Sequence, residues 1–195
     1  MSLDSTWYFV RHAESEANAN GWLAGHSDAA LTEKGQHQAK EVAETLRERT
    51  LHRVYCSDLL RARQTCAAIL EHHAHLPQFR ADLRERHLGE WEGKPRLELM
   101  RDGSWSRLLS WDLGPPGGES QRQVALRMLA ALASIDQPGE ILVVSHGTAL
   151  RTVVGLLDGL DTKEIGKTVL SNAECVVRKV ETGRFDALLR HLQHR

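Results

Sequence analysis

Four short apolar runs punctuate the chain: "WYFV" (7–10), "RVYC" (53–56), "FRADL" (79–83) and "ILVV" (141–144). The first and last are apolar at consecutive positions, the pattern of strands buried on both faces between helical layers. The second reads similarly and the third more weakly. Between them the period changes. Ala39, Val42, Ala43 and Leu46 recur at i, i+3, i+4, i+7 in a charged stretch, which predicts an amphipathic helix with Thr32 as its N-cap. Ala62, Cys66, Ile69, Leu70 and His73 repeat that spacing. So do Val124, Met128, Ala131, Leu132 and Ile135, with Ser120 as cap and "QPG" (137–139) as stop. Leu150, Val153, Val154 and Leu157 predict a helix after "SHG". "ECVVRKV" (174–180) and "RFDALLRHL" (184–192) read as a closing strand pair joined near Thr182-Gly183. Strands alternating with helices predict an α/β fold, a three-layer sandwich with a mostly parallel central sheet and helices on both faces.

One segment breaks this rhythm. Residues 86–119 hold three of the five tryptophans (Trp91, Trp105 and Trp111) and the Pro-Pro-Gly-Gly turn. They read as a small inserted lid lobe of short helices and loop, which either takes part in substrate binding or is a satellite hydrophobic cluster with no role in it. The whole, 1–195, is expected to be a single domain. A hydrophobic fraction of 41% and a net charge of −1 fit an ordinary soluble protein and give no electrostatic case for nucleic acid or an anionic membrane. The three cysteines are widely spaced and make no C-x-x-C pair, so a disulfide framework or zinc site is not expected. With no signal-like N-terminus and no apolar run of membrane-spanning length, the expected location is cytoplasmic.

Ligands of open α/β sheets bind beyond the carboxyl ends of the strands. Arg11 and His12 follow the first strand. Ser57, Asp58 and Arg61 follow the second, Arg84, Glu85, Arg86 and His87 the third, and Ser145, His146 and Gly147 the fourth. Two histidines and at least two arginines would meet at one rim. Arginine forks and the helix start at Gly147 suit a phosphate. Among arginines a histidine tends to stay neutral, and a neutral imidazole has a lone pair able to attack phosphorus. Glu85 is the candidate general acid. Its rivals Glu14, Glu90 and Glu92 read as solvated.

These blocks resemble the histidine phosphatase superfamily, also called phosphoglycerate mutase-like. The signature is Arg11-His12-Ala13-Glu14-Ser15 with Asn18. "LTEKGQHQA" (31–39), "YCSDLLRARQTC" (55–66), "LRERHLGEWEG" (83–93), "PGGES" (116–120) and "VVSHGTALR" (143–151) follow in family order. The resemblance implies that His12 becomes a phosphohistidine and that Arg11, Arg61 and His146 hold the phosphoryl oxygens. It implies that Glu85 protonates the leaving oxygen and then activates water. It places Asn18, Gly147, Ser15 and Gly25 in the substrate and phosphate pocket, with no cofactor and no metal. Two positions depart from the family pattern. Ala13 stands for a usual glycine, and Ala24 replaces a Gln or Thr that often touches substrate.

Only 61 positions separate Glu85 from His146, shorter than in the mutases, and this resembles the short phosphatases. The expected activity is a phosphatase acting on a small phosphorylated metabolite. A phosphoglycerate mutase-type transferase and a non-catalytic phospho-ligand binder stand as alternatives. The expected partner is the small phosphorylated substrate, with no nucleic acid and no membrane, and a homodimer is allowed for. Ordinary structural explanations cover the remaining features. His72, His73 and His75 lack the i, i+4 spacing of paired metal ligands. Lys94, Arg96, Arg101 and Arg107 offer a second anionic contact, but the reading as solvated cations is preferred for each.

Overall fold

The computed structural model describes residues 4–194. Strands β1 (Asp4–Arg11), β2 (Arg53–Ser57), β3 (Gln78–Arg80), β4 (Glu140–Ser145) and β5 (Cys175–Glu181) form one sheet in the order β3-β2-β4-β1-β5. The β1–β4, β4–β2 and β2–β3 pairs are parallel; β5 runs antiparallel to β1 at the edge. Nine helices surround it: α1 (Glu16–Asn20), α2 (Glu33–Leu46), α3 (Leu60–Leu70), α4 (Arg96–Arg101), α5 (Trp105–Leu109), α6 (Gln121–Ala133), α7 (Gly147–Leu157), α8 (Thr162–Lys167) and α9 (Arg184–Gln193), counted among the described residues.

Side chains alternate across the sheet, and the alternation sorts the core into two layers. Trp7, Phe9, Tyr55, Ile141 and Val143 pack beneath α6, α7 and α9. Tyr8, Val10, Val54, Cys56, Leu142 and Val144 pack beneath α2 and α3. The three-layer α/β sandwich read from the sequence is the fold observed. Register fixes where its chemistry must lie. Arg11 pairs with Ser145, Val144 with both Val10 and Cys56, and Ser57 with Arg80. The carboxyl ends of the parallel strands therefore stop at one level and face one rim.

Thr32 and Ser120 cap α2 and α6 as expected, accepting from the Gly35 and Gln123 backbone N–H groups. Three elements differ from the sequence reading. The segment 184–192 is helix α9, not a strand. Phe185, Leu188, Leu189 and Leu192 recur at helical spacing and press on the core, with the Phe185 ring edge-on to Trp7 at 4.8 Å. Of "FRADL" only Phe79 and Arg80 belong to β3; Ala81–Leu83 is a 3-10 turn that buries Leu83 completely. Helix α6 ends at Ala133, with Ser134 at its C-cap, before the "QPG" stop.

The 86–119 segment contains a 3-10 turn (Gly89–Trp91), α4 and α5. Leu88, Trp91, Leu99 and Leu108 form their own apolar cluster with Leu23, against which Trp105 packs. Arg86, almost wholly buried, ties the segment down. Its guanidinium donates to the carbonyls of Glu119, Leu108 and Leu113 at 2.6, 2.9 and 3.0 Å. Burial without a carboxylate partner pulls Arg86 down to about 10. Among the described residues no helix is long and apolar enough to cross a membrane.

Candidate active site

A cavity of about 270 Å³ opens at the carboxyl rim of the sheet. Arg11, His12, Ser15, Asn18, Gly25, Arg61, Glu85 and Gly147 all line it. His146, wholly buried, stands behind His12 with the two ring centroids 5.1 Å apart. Every residue singled out from the sequence for this site is thus brought to one place.

His12 follows directly on β1. Its backbone N–H donates to Ser145, which extends the β1–β4 ladder by one bond and fixes the main chain. Nδ1 lies 2.7 Å from the Ala13 carbonyl. A carbonyl can only accept, so Nδ1 carries the hydrogen and Nε2 of the neutral ring keeps its lone pair. Burial, with Arg61 and Arg11 next in weight, holds His12 well below the ordinary histidine value. The imidazole is therefore neutral and one of its nitrogens is committed.

Arg61 is buried on α3, and its two terminal nitrogens donate to Ser27 O at 2.9 Å and Gly25 O at 2.8 Å. Those carbonyls belong to the 21–32 loop, which Glu92 holds by accepting from the His26 N–H (2.8 Å) and the Ser27 hydroxyl (3.0 Å). Gly25 has φ +52°, and a Cβ there would come within 2.3 Å of Glu92 Oε1. Glycine is thus required both by conformation and by space. Arg11 donates to Leu170 O through Nη1, while its Nε is buried without a partner. His146 Nε2 meets Ser57 Oγ at 2.7 Å and its Nδ1 is buried without a partner. Burial, then Arg61 and His12, keep His146 well below its ordinary value too. A buried polar atom left unpaired costs about 1–3 kcal/mol. An unpaired buried donor such as Arg11 Nε, on a residue of the cavity lining, suits an anionic ligand.

Asn18 is oriented by its neighbours. Ser15 N, Ser15 Oγ and Asn172 Nδ2 approach its Oδ1 at 3.2, 3.1 and 3.1 Å, so the amide nitrogen is the end left for a ligand. Ser15 therefore acts on Asn18, its hydroxyl being directed there. Asn172 also donates to His12 O at 3.2 Å.

Glu85 sits on the N-terminus of α7. Its carboxylate accepts from Thr148 N (3.1 Å), Ala149 N (3.2 Å) and Arg86 N (2.9 Å). Two of the free N–H groups of this helix, those of Thr148 and Ala149, are thus taken by Glu85. The sequence rivals are placed elsewhere. Glu14 pairs with Lys34 and Thr32, Glu92 holds the 21–32 loop, and Glu90 is exposed. The loop behind Glu85 is held by Arg127, which donates to the carbonyls of Asp82, Arg84 and Glu85 and forms a two-point ion pair with Glu119 at 2.9 and 2.8 Å. Arg127 and Asn172 were not singled out in the sequence, and nothing in local pattern marks them. Arg151, the last residue of "VVSHGTALR", also lines the cavity, as does Arg96, which the sequence suggested was a solvated cation.

The family model described as "Histidine phosphatase superfamily (branch 1)" matches residues 7–192. The chain belongs to this superfamily, and with it to enzymes that transfer a phosphoryl group through a phosphohistidine. Among curated proteins it is 35% identical to "Probable phosphoglycerate mutase GpmB" of Photorhabdus laumondii subsp. laumondii, over 89% of this chain and 83% of that one. Among solved structures it is similar to a phosphoserine phosphatase from Entamoeba histolytica (26% identity, TM-score 0.78, covering 91% and 95%). It is also similar to the alpha-ribazole phosphatase from Shigella flexneri (25%, TM-score 0.78, 88% and 89%). A mycobacterial glucosyl-3-phosphoglycerate phosphatase is a third (26%, TM-score 0.78, 89% and 89%).

Proposed function

We propose that this protein is a phosphomonoesterase that hydrolyses a small phosphorylated metabolite through a phosphohistidine on His12. The observation that carries the reading is the His12 ring: neutral, bonded through Nδ1 to a carbonyl, and part of the cavity lining. In the first step the Nε2 lone pair forms a bond to phosphorus as the ester P–O bond breaks. Glu85, protonated, gives its proton to the departing alkoxide. In the second, the Glu85 carboxylate takes a proton from water, the hydroxide oxygen bonds to phosphorus and the P–N bond breaks. Inorganic phosphate leaves and Glu85 is again protonated. Arg11, Arg61, the Asn18 amide and the His146 Nδ1 side stabilise charge on the equatorial oxygens. Water as acceptor is favoured by the short stretch between Glu85 and His146, which offers little cover to exclude it.

The mutase reading is supported by the names of the sequence relatives. It predicts that phosphoglycerate isomers interconvert faster than phosphate appears. The deciding assay is phosphate release from a chromogenic phosphomonoester with chelator present, for wild type and His12→Ala. Release that vanishes in the variant is expected. Release that persists in it would overturn the assignment.

A further inference from the structure

Glu85 is fixed at both ends. Its carboxylate rests on α7, and its main-chain carbonyl accepts from two side chains. Arg127 Nη2 of α6 approaches at 3.2 Å and His26 Nε2 at 2.8 Å. The reaction proposed above gives His26 no part. A carbonyl can only accept, so Nε2 of His26 carries the hydrogen. Burial, against the pull of the Glu85 carbonyl, holds His26 below its ordinary value and keeps the ring neutral. Its single N–H is therefore committed to Glu85.

His26 lies between the two residues that hold Arg61. Gly25 O and Ser27 O accept from the Arg61 terminal nitrogens, and Asp28 Oδ1 accepts from the N–H of Leu60, the first residue of α3. The same short stretch is thus bonded to α3 at three points, and through His26 it reaches Glu85. The ring has little freedom. The His26 backbone N–H is held by Glu92 Oε1 at 2.8 Å, and the His87 ring packs against the His26 ring with centroids 4.8 Å apart. His87 is held in turn, its N–H donating to Glu119 Oε2 at 2.8 Å and its Nε2 lying 3.6 Å from Glu92 Oε1. Glu119 is also the carboxylate that anchors Arg127. Both donors to the Glu85 carbonyl therefore belong to one bonded network.

Spacing matters here. Glu85 is near enough to Arg61 to favour its charged form. In the proposed reaction Arg61 holds the phosphoryl group and Glu85 protonates the oxygen that leaves it, so the gap between them must match the substrate. An error of about 1 Å in such a gap costs about 10²-fold in rate. We infer that His26 is a positioning residue: its Nε2–H bond to the Glu85 carbonyl sets the general acid against the loop that cradles Arg61, so that acid and phosphoryl clamp keep one spacing. This rests on the phosphatase reading above.

The test compares an alkyl phosphate with p-nitrophenyl phosphate by kcat/KM. His26→Leu fills the space without a donor and is expected to lower kcat/KM on the alkyl ester by about tenfold or more. On p-nitrophenyl phosphate, whose leaving group needs no proton, the loss is about threefold or less. His26→Gln carries an amide N–H near the place of Nε2 and recovers most of the alkyl activity. In a Glu85→Gln background His26→Leu costs the alkyl ester about threefold or less, because the group it positions is gone. Equal losses on the two esters, a full loss that persists beside Glu85→Gln, or a His26→Leu protein that only melts lower would each overturn the role and leave the phosphatase reading standing. A wild type that releases phosphate from neither ester would overturn that reading, and this role with it.

Discussion

At the scale of single residues, the site depends on protons being placed by neighbours. The Ala13 carbonyl chooses the His12 tautomer, and three donors choose the Asn18 rotamer. In the proposed reaction Glu85 acts on the leaving oxygen, so its replacement is felt most where the leaving group needs a proton. Glu85→Gln is expected to lower kcat/KM on an alkyl phosphate by about 10²–10⁴ and on p-nitrophenyl phosphate by much less in the phosphorylation step. Equal losses measured by pre-steady-state kinetics on the two esters would remove Glu85 from the acid role. The histidines also set a stability profile. His12, His146 and the partly buried His26 all hold folded values below the ordinary one, burial being the leading cause. As pH falls through about 6.5 the unfolded chain takes up protons that the folded chain does not, so stability falls with pH in that window. Each buried histidine contributes up to about 1.4 kcal/mol of loss per pH unit below it. Urea midpoints should therefore drop between pH 7 and 5, before the carboxylates titrate; a flat profile would contradict the neutral assignments.

At the scale of elements, the sequence was most legible where a single period ran long enough to be read. Helices α2, α3, α6 and α7 and the caps Thr32 and Ser120 follow from spacing and side-chain chemistry. The 184–192 segment was misread because "RFDALLRHL" is short and its apolar residues satisfy more than one pattern. Packing of Phe185 and Leu192 against Trp7 and its neighbours decides for a helix. The short helices α1, α4, α5 and α8 leave little periodic trace; α4 and α5 are held by the lobe cluster and by Arg86 rather than by propensity. The family blocks marked residues that touch the cavity, whereas Arg127 and Asn172 act at one remove and carry no local signal. Arg127 offers a test at this scale. Losing its three carbonyl bonds and its ion pair with Glu119 would free the 82–85 turn that aims Glu85. Arg127→Gln should lower kcat more than it changes KM, and more for alkyl than for p-nitrophenyl esters. A loss seen only as a lower melting temperature would assign Arg127 to folding alone.

At the scale of the molecule, a chain of net charge −1 gathers five arginines around one cavity at one end of its sheet. Parallel strands of matched register make this possible. Each strand delivers its next residues to the same rim, and the buried sheet holds them there. The fold thus explains why the apolar run "WYFV" ends in Arg11 and His12. The strand is the rigid mount, and the proposed nucleophile is the first residue beyond it. The central claim is that His12 carries the phosphoryl group. The direct measurement is rapid acid-free quench of the enzyme during turnover, followed by peptide mass analysis. The account predicts one added phosphoryl group on the peptide containing His12, labile to acid, stable to base and missing from His12→Ala. A phosphoryl group found on another residue would contradict it. So would steady turnover by the His12→Ala protein.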